Sequence, residues 1–266
     1  MNRLGGSYDR RESLKRGVYL LPNLVTTGSL FAGFYGIVAT MNGNYDLAAW
    51  FILISAVFDA LDGKVARLTG TTSRFGVEYD SLADLVAFGV APGLLMYSWA
   101  LKPFGKFGWL AAFLYVVCGA LRLARFNVQV NTVESRRFVG LPIPAAAGMV
   151  ASCVLLFYHL GGEGTIRKVS VVLLIYILAY LMVSNHSYNS FKDPELVKRQ
   201  PFGFLVLAII LIIVIVAQPE IMLFSIASIY TVSGPIVTLL KYFRKKPLEP
   251  VGPSQDEPAA DESDAL

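Results

Sequence analysis

Residues 57–89 read VFDALDGKVARLTGTTSRFGVEYDSLADLVAFG. Apolar stretches lead into this segment and out of it, yet it carries Asp59, Asp62, Asp80 and Asp84. Steps of three and four residues return to one face of a helix, so Asp59, Asp62 and Ala66 share one stripe and Asp80 and Asp84 share another. A short polar connection joins the two stretches, which lets the stripes face each other. The flanks decide the fold: if they cross a membrane, these four carboxylates sit at the ends of two membrane helices.

Composition supports that reading. Of the 266 residues, 55% are hydrophobic and only 16% are charged, with a mean hydropathy of +0.56. A soluble domain carries about 25% charged residues. A bilayer core of about 30 Å takes roughly 20 apolar residues per helix, and such segments fall near 21–41, 46–66, 81–101, 107–126, 141–160, 168–185, 202–217 and 219–241. The expected fold is therefore all-α, a polytopic transmembrane helix bundle of about eight spans, with six or seven left open by the shorter ones. The last two spans, parted by Gln218, Pro219 and Glu220, read as a tight helical hairpin. Three parts follow: a basic lead (1–19), a membrane domain (20–242) and an acidic, Pro-rich tail (243–266) with too little apolar surface to fold. No short apolar core with a cleavage site follows the lead, so no cleaved signal peptide is expected.

The basic residues test the span map. With both termini on one side, that side collects every Lys and Arg except Lys102, Lys106, Arg167 and Lys168. The positive-inside rule then puts both termini in the cytoplasm. It also favours an even span count and places the aspartates at the cytoplasmic face. The formal net charge of +4 is dispersed among connections without a recognisable module, which argues against a nucleic-acid partner. The lead from Arg10 to Arg16 suits anionic membrane lipid. Cys118 and Cys153 lie inside apolar stretches and are expected as free thiols.

Four carboxylates at such depth are costly. At about 2.5–3.5 kcal/mol each near a helix centre, they would cost roughly 10–14 kcal/mol together. Lys64 and Arg67 are too few to neutralise them. Divalent cations do so directly: hard oxygen ligands suit Mg²⁺ or Mn²⁺, and two such ions can clamp a pyrophosphate. Taken singly, each Asp could equally be a helix cap or a surface ion pair. Small residues at Gly63, Ala66 and Gly76 allow a helix or a bulky nucleotide to approach the backbone.

The spacing Asp59-x2-Asp62-Gly63-x2-Ala66-Arg67-x8-Gly76-x3-Asp80-x3-Asp84 resembles the signature of the CDP-alcohol phosphotransferases, membrane enzymes that move a phosphatidyl or similar group from a CDP-linked donor to an alcohol. All eight fixed positions are present within 26 residues. The resemblance implies a two-metal site with Asp59, Asp62 and Asp80 as ligands. Asp84 would be the general base, touching a metal as well. Gly63, Ala66, Arg67 and Gly76 would line the CDP pocket, with Asn23 and Thr26 contacting the nucleotide. Alternatively, Pro22 and Asn23 simply start a helix and Thr26 bonds back to its own turn. A homodimer in the cytoplasmic membrane, with its active site facing the cytoplasm, is also implied.

The signature does not fix the acceptor. LRLARFNV (121–128) and FVGLPIPAAAG (138–148) are similar to segments of the bacterial, phosphatidylserine-forming branch of that family. The resemblance therefore implies CDP-diacylglycerol and L-serine as substrates. An amino-acid acceptor brings a carboxylate, which arginine recognises well. Arg122 and Arg125 lie three apart, with Asn127 beside them. Those arginines could instead enforce topology or hold lipid phosphates. Glycerol 3-phosphate, inositol phosphate and choline stay open as acceptors. A transporter or cation channel would spread its acidic groups through the depth of several helices, whereas these cluster at one end of two. His159 reads as interfacial, and His186, among Asn185, Ser187, Tyr188 and Asn189, reads as a helix cap or a substrate contact.

Overall fold

A computed structural model describes residues 5–70, 73–130, 138–188 and 217–244. Within them the chain is helical: α1 (Gly5–Met41), α2 (Tyr45–Thr69), α3 (Arg74–Asp84), a π-helical stretch (Leu85–Val90), α4 (Ala91–Met96), further tight and wide turns to Phe104, α5 (Lys106–Val130), α6 (Ile143–His159), α7 (Val169–Val183) and α8 (Pro219–Arg244). One two-residue antiparallel ladder, β1 (Phe138–Val139) with β2 (Ser187–Tyr188), ties the start of α6 to the end of α7.

Among the described residues four helical segments are long and apolar enough to cross a membrane: Leu21–Met41, Arg74–Phe104, Lys106–Val128 and Pro219–Leu240. Ile143–His159 and Val169–Val183 are shorter apolar helices. At 25 residues α2 has the length, but Asp46, Asp59 and Asp62 lower its apolar character. Seven of the eight expected spans thus coincide with helices, and 202–217 lies almost wholly outside the described residues, as does nearly all of the tail. The expected boundary at residue 20 is not a break in the backbone. α1 begins at Gly5 and runs through Pro22, spending one backbone donor there.

The outer faces are oily. Phe31, Phe34, Trp109, Phe113, Leu173, Ile177, Ile229, Val232 and Ile236 are all exposed. In water such a surface would be an aggregation liability, whereas against acyl chains it costs nothing. Helices in lipid gain little from burying apolar bulk, and close approach through small residues holds them together instead. The interior accordingly contains Ala39, Ala48, Ala49, Ala87, Ala91, Ala111, Ala146, Ala147 and Ala151, packed around Phe88, Trp99 and Tyr115. Cys118 and Cys153 are free thiols, as expected. His159 Nδ1 lies 3.3 Å from Glu220 and joins the ends of α6 and α8 away from the aspartates.

Two glycines set the spacing. A Cβ on Gly33 of α1 would fall 2.6 Å from the Ala87 Cα in the π-helical stretch, where the Ala91 N–H reaches back five residues to Val86 O. Gly140 has φ +85°, and a Cβ there would fall 2.5 Å from Met182 O. Its N–H donates to His186 O at 2.9 Å, while the next N–H, from Leu141, donates to Leu181 O. The turn before α6 is thereby clipped to the end of α7.

Gly33→Val should force α1 off this wide turn and destabilise the folded protein by about 1–3 kcal/mol. Thermal unfolding in detergent should show the loss. Unchanged stability would mean that α1 does not depend on this contact.

Candidate active site

Asp59 and Asp62 project from the second half of α2, and Asp80 and Asp84 from α3. One carboxylate oxygen from each of Asp59, Asp62 and Asp80 can be chosen so that all three lie within 4.8 Å of one another. Asp62 is the most enclosed, at 6% exposure. The Thr26 hydroxyl of α1 donates to Asp62 Oδ2 at 3.0 Å, and Pro22 O at 3.1 Å competes for the same proton. Thr26 thus bonds back to its own turn, as one sequence reading has it, and also holds a site carboxylate; Pro22 and Asn23 do not start a helix, because α1 begins at Gly5 and runs through both.

Asp84 stands one helical turn deeper. Its carboxyl reaches that of Asp59, a contact two ionised carboxylates make only with a proton or a cation between them. Asp84 Oδ1 is buried with no hydrogen-bond partner, and the charge facing Asp84 from α5 is the Arg122 guanidinium. Arg67 instead turns its Nε onto Gly63 O at 2.8 Å. Among the described residues no lysine or arginine forms an ion pair with any of the four aspartates. The uncompensated charge and the donor set both fit a divalent cation, because opposite oxygen ligands of a six-coordinate ion lie about 4–5 Å apart.

Of the proposed nucleotide residues, Thr26 touches this cluster through Asp62, and Gly63 follows Asp62 on α2. Space over Gly63 is open, with nothing within 4 Å of where a Cβ would be. At Gly76 a Cβ would lie 3.4 Å from Asn23 Oδ1 and 3.1 Å from Ser73 Oγ, so α1 and α3 meet there. Ser73 is the N-cap of α3 and accepts from Gly76 N–H at 2.9 Å. Ala66 lies on α2, and its side chain is outside those described. The sequence reading missed the Thr27–Tyr79 hydroxyl pair at 2.9 Å and the Ser29–Ser55 pair at 2.8 Å, which lock α1 to α3 and to α2. A hydroxyl in an apolar helix is the signal for such bonds, but it does not name the partner.

The three acceptor candidates separate. Arg125 Nη1 donates to Val183 O at 3.2 Å, with Asn185 Oδ1 at 3.5 Å, and so holds the end of α7. Asn127 Nδ2 donates to Ser81 Oγ at 3.0 Å and holds α5 against α3. Arg122 alone faces Asp84, and its Nε is buried with no partner.

Residues 19–183 match the family described as CDP-alcohol phosphatidyltransferase. A CDP-diacylglycerol–serine O-phosphatidyltransferase of Helicobacter pylori is 47% identical over 177 residues, covering 66% of this chain and 74% of that protein. A Bacillus subtilis protein of the same name is 36% identical, covering 65% and 91%. An archaetidylserine synthase of Methanothermobacter thermautotrophicus is 37% identical, covering 63% and 69%.

Thr26→Val keeps the shape of the side chain and removes the donor to Asp62. Outer-shell losses of this kind cost about 10–100-fold in metal affinity. A Mn²⁺ titration should show weakening in that range, and wild-type affinity would separate Thr26 from the metal site.

Proposed function

The chain belongs to the CDP-alcohol phosphatidyltransferase family, and from that premise we propose that it transfers a phosphatidyl group from CDP-diacylglycerol to L-serine, giving phosphatidylserine and CMP. The observation that carries the reading is the convergence of Asp59, Asp62 and Asp80 within 4.8 Å, beside an unpartnered Asp84 oxygen that faces Arg122. The names of the relatives support serine as the acceptor.

Asp59, Asp62 and Asp80 would hold the divalent metal, Mg²⁺ or Mn²⁺, as two ions with Asp84 touching one. Bound there, the metal neutralises the pyrophosphate and the departing CMP. The chain's own residues do the rest. Asn23, Thr26, Gly63, Ala66, Arg67 and Gly76 form the CDP side, with the bare backbone at Gly63 leaving room for the nucleotide. Asp84 accepts the proton of the serine hydroxyl as its oxygen attacks the phosphorus that bears the diacylglycerol, and the bond from that phosphorus to the CMP oxygen breaks. Arg122 pairs with the serine carboxylate. Arg125 and Asn127 support that pocket by fixing α7 and α3.

The same reading places a multi-pass protein in the cytoplasmic membrane, active as a homodimer, with both termini and the aspartates facing the cytoplasm. There a lipid-borne donor and a water-soluble acceptor can meet.

Two experiments test it. Purified protein given labelled CDP-diacylglycerol, Mn²⁺ or Mg²⁺ and a panel of alcohols should form lipid product with L-serine and none after chelation. Product from glycerol 3-phosphate but not from serine would overturn the acceptor. Asp84→Asn should reduce transfer by at least about a hundredfold, a general-base factor, while CDP-lipid binding persists. Normal turnover in that variant would remove Asp84 from the base role.

A further inference from the structure

The helix that carries Asp80 and Asp84 is clamped at two levels. Near the mouth of the site, Tyr79 shares a hydrogen bond with Thr27 of α1 at 2.9 Å, and Ser81 is bonded to Asn127 of α5 at 3.0 Å. Deeper in the bundle, Ala87 and Phe88 are fully buried. Phe88 O accepts from the Tyr115 hydroxyl of α5 at 3.2 Å, and Ala87 lies against the bare backbone of Gly33 on α1. Asp84 stands between the two clamps, as the last residue of α3 and the flank of the π-helical stretch Leu85–Val90. A π-helical turn takes up one residue more than an α-helical turn. One added residue rotates the side chains on one flank by about 100° relative to the other, compared with an unbroken α-helix. If the stretch were α-helical and Ala87 and Phe88 stayed in the core, Asp84 would swing away from Asp59, whose carboxyl it now reaches.

We propose that Gly33 is a positioning residue for the reaction: by seating α1 on Ala87 it holds the wide turn in the setting that aims Asp84 at the metal-binding carboxylates. The inference rests on the reading of Asp84 as the base. A Cβ at position 33 would fall 2.6 Å from Ala87 Cα and 2.7 Å from Ala87 Cβ. The first of these is a backbone atom, so no side-chain rotation relieves the clash. α1 and the turn would have to part by about 1 Å to reach ordinary carbon–carbon contact. The metal ligands are shielded from such a shift. Asp59 and Asp62 belong to α2, and Asp80 is flanked by Tyr79 and Ser81, each bonded to another helix. Asp84 is three residues from Ala87, and its Oδ1 has no hydrogen-bond partner to hold it in place. The seat therefore acts on the proton acceptor and spares the ligands.

A double-mutant cycle separates this role from mere packing. Gly33→Ala is the smallest change that unseats α1. In the otherwise native chain it should lower kcat by about ten- to a hundredfold, the cost of misplacing a reacting group by an ångström. The KM for CDP-diacylglycerol and the Mn²⁺ concentration for half-maximal rate should both stay within about twofold, because the ligands do not move. In the Asp84→Asn chain, whose residual turnover no longer uses this base, Gly33→Ala should change kcat by less than about twofold, since changes that act through one group do not add. A merely structural effect would lower kcat by the same factor in both chains. Tyr115→Phe removes the donor to Phe88 O on the other side of the same turn and should show the same pattern, which decides the matter if Gly33→Ala does not fold. Equal losses in both chains, no loss in either, or a loss accounted for by a higher Mn²⁺ requirement would overturn the positioning role while an impaired Asp84→Asn keeps the base reading. Normal turnover in Asp84→Asn alone would remove the base reading and this inference together.

Discussion

Four carboxylates crowded at one end of a helical bundle repel one another, and the rest of the structure is arranged around that repulsion. Placing them costs solvation energy as well as Coulomb energy. The neighbours do little to relieve either. Thr26 lends a single proton to Asp62, Arg122 offers one positive charge to Asp84, and Arg67 is turned toward a backbone oxygen. The protein holds this unfavourable arrangement through contacts elsewhere: the close seat of Gly33 on Ala87, the alanine-lined interior and the hydroxyl pairs that lock α1 to α2 and α3. A site strained in this way is ready for cations and for the pyrophosphate they accompany.

The arrangement also explains why the chemistry is one-sided. α3 and α5 run antiparallel, with Tyr115 bonded to Phe88 O deeper in the bundle, Arg122 opposite Asp84, and Asn127 bonded to Ser81 at the mouth. The aspartates occupy only one end of this ladder, while the His159–Glu220 pair joins α6 to α8 away from them. A pathway through the membrane would need polar groups along its whole depth. Between Phe88 and Leu101 the third helical segment buries Phe88, Ala91, Leu95, Met96, Trp99, Ala100 and Leu101 instead.

Much of this could be read from the sequence, because the features concerned are local. Helices follow from runs of apolar residues. The facing of Asp59 and Asp62 with Asp80 and Asp84 follows from steps of three and four residues on two helices joined by a short turn. What could not be read depends on contacts between distant segments. LRLARFNV shows two arginines on one face but not that Arg125 is committed to Val183 O while Arg122 faces Asp84. Thr26 could be read as back-bonding or as a nucleotide contact, and its bond to Asp62 appears only through the packing of α1 on α2. Nothing local marks the wide turn after Asp84, nor that the bare Gly33 of α1 is seated against it.

The central claim is that Asp59, Asp62 and Asp80 hold divalent metal against the donor's pyrophosphate. The most direct test is anomalous X-ray diffraction from crystals grown with Mn²⁺ and CDP-diacylglycerol. Two anomalous peaks between α2 and α3, each in contact with these carboxylates and with the pyrophosphate oxygens, are the predicted result. Donor density at the site with no anomalous peak within reach of the aspartates would contradict it.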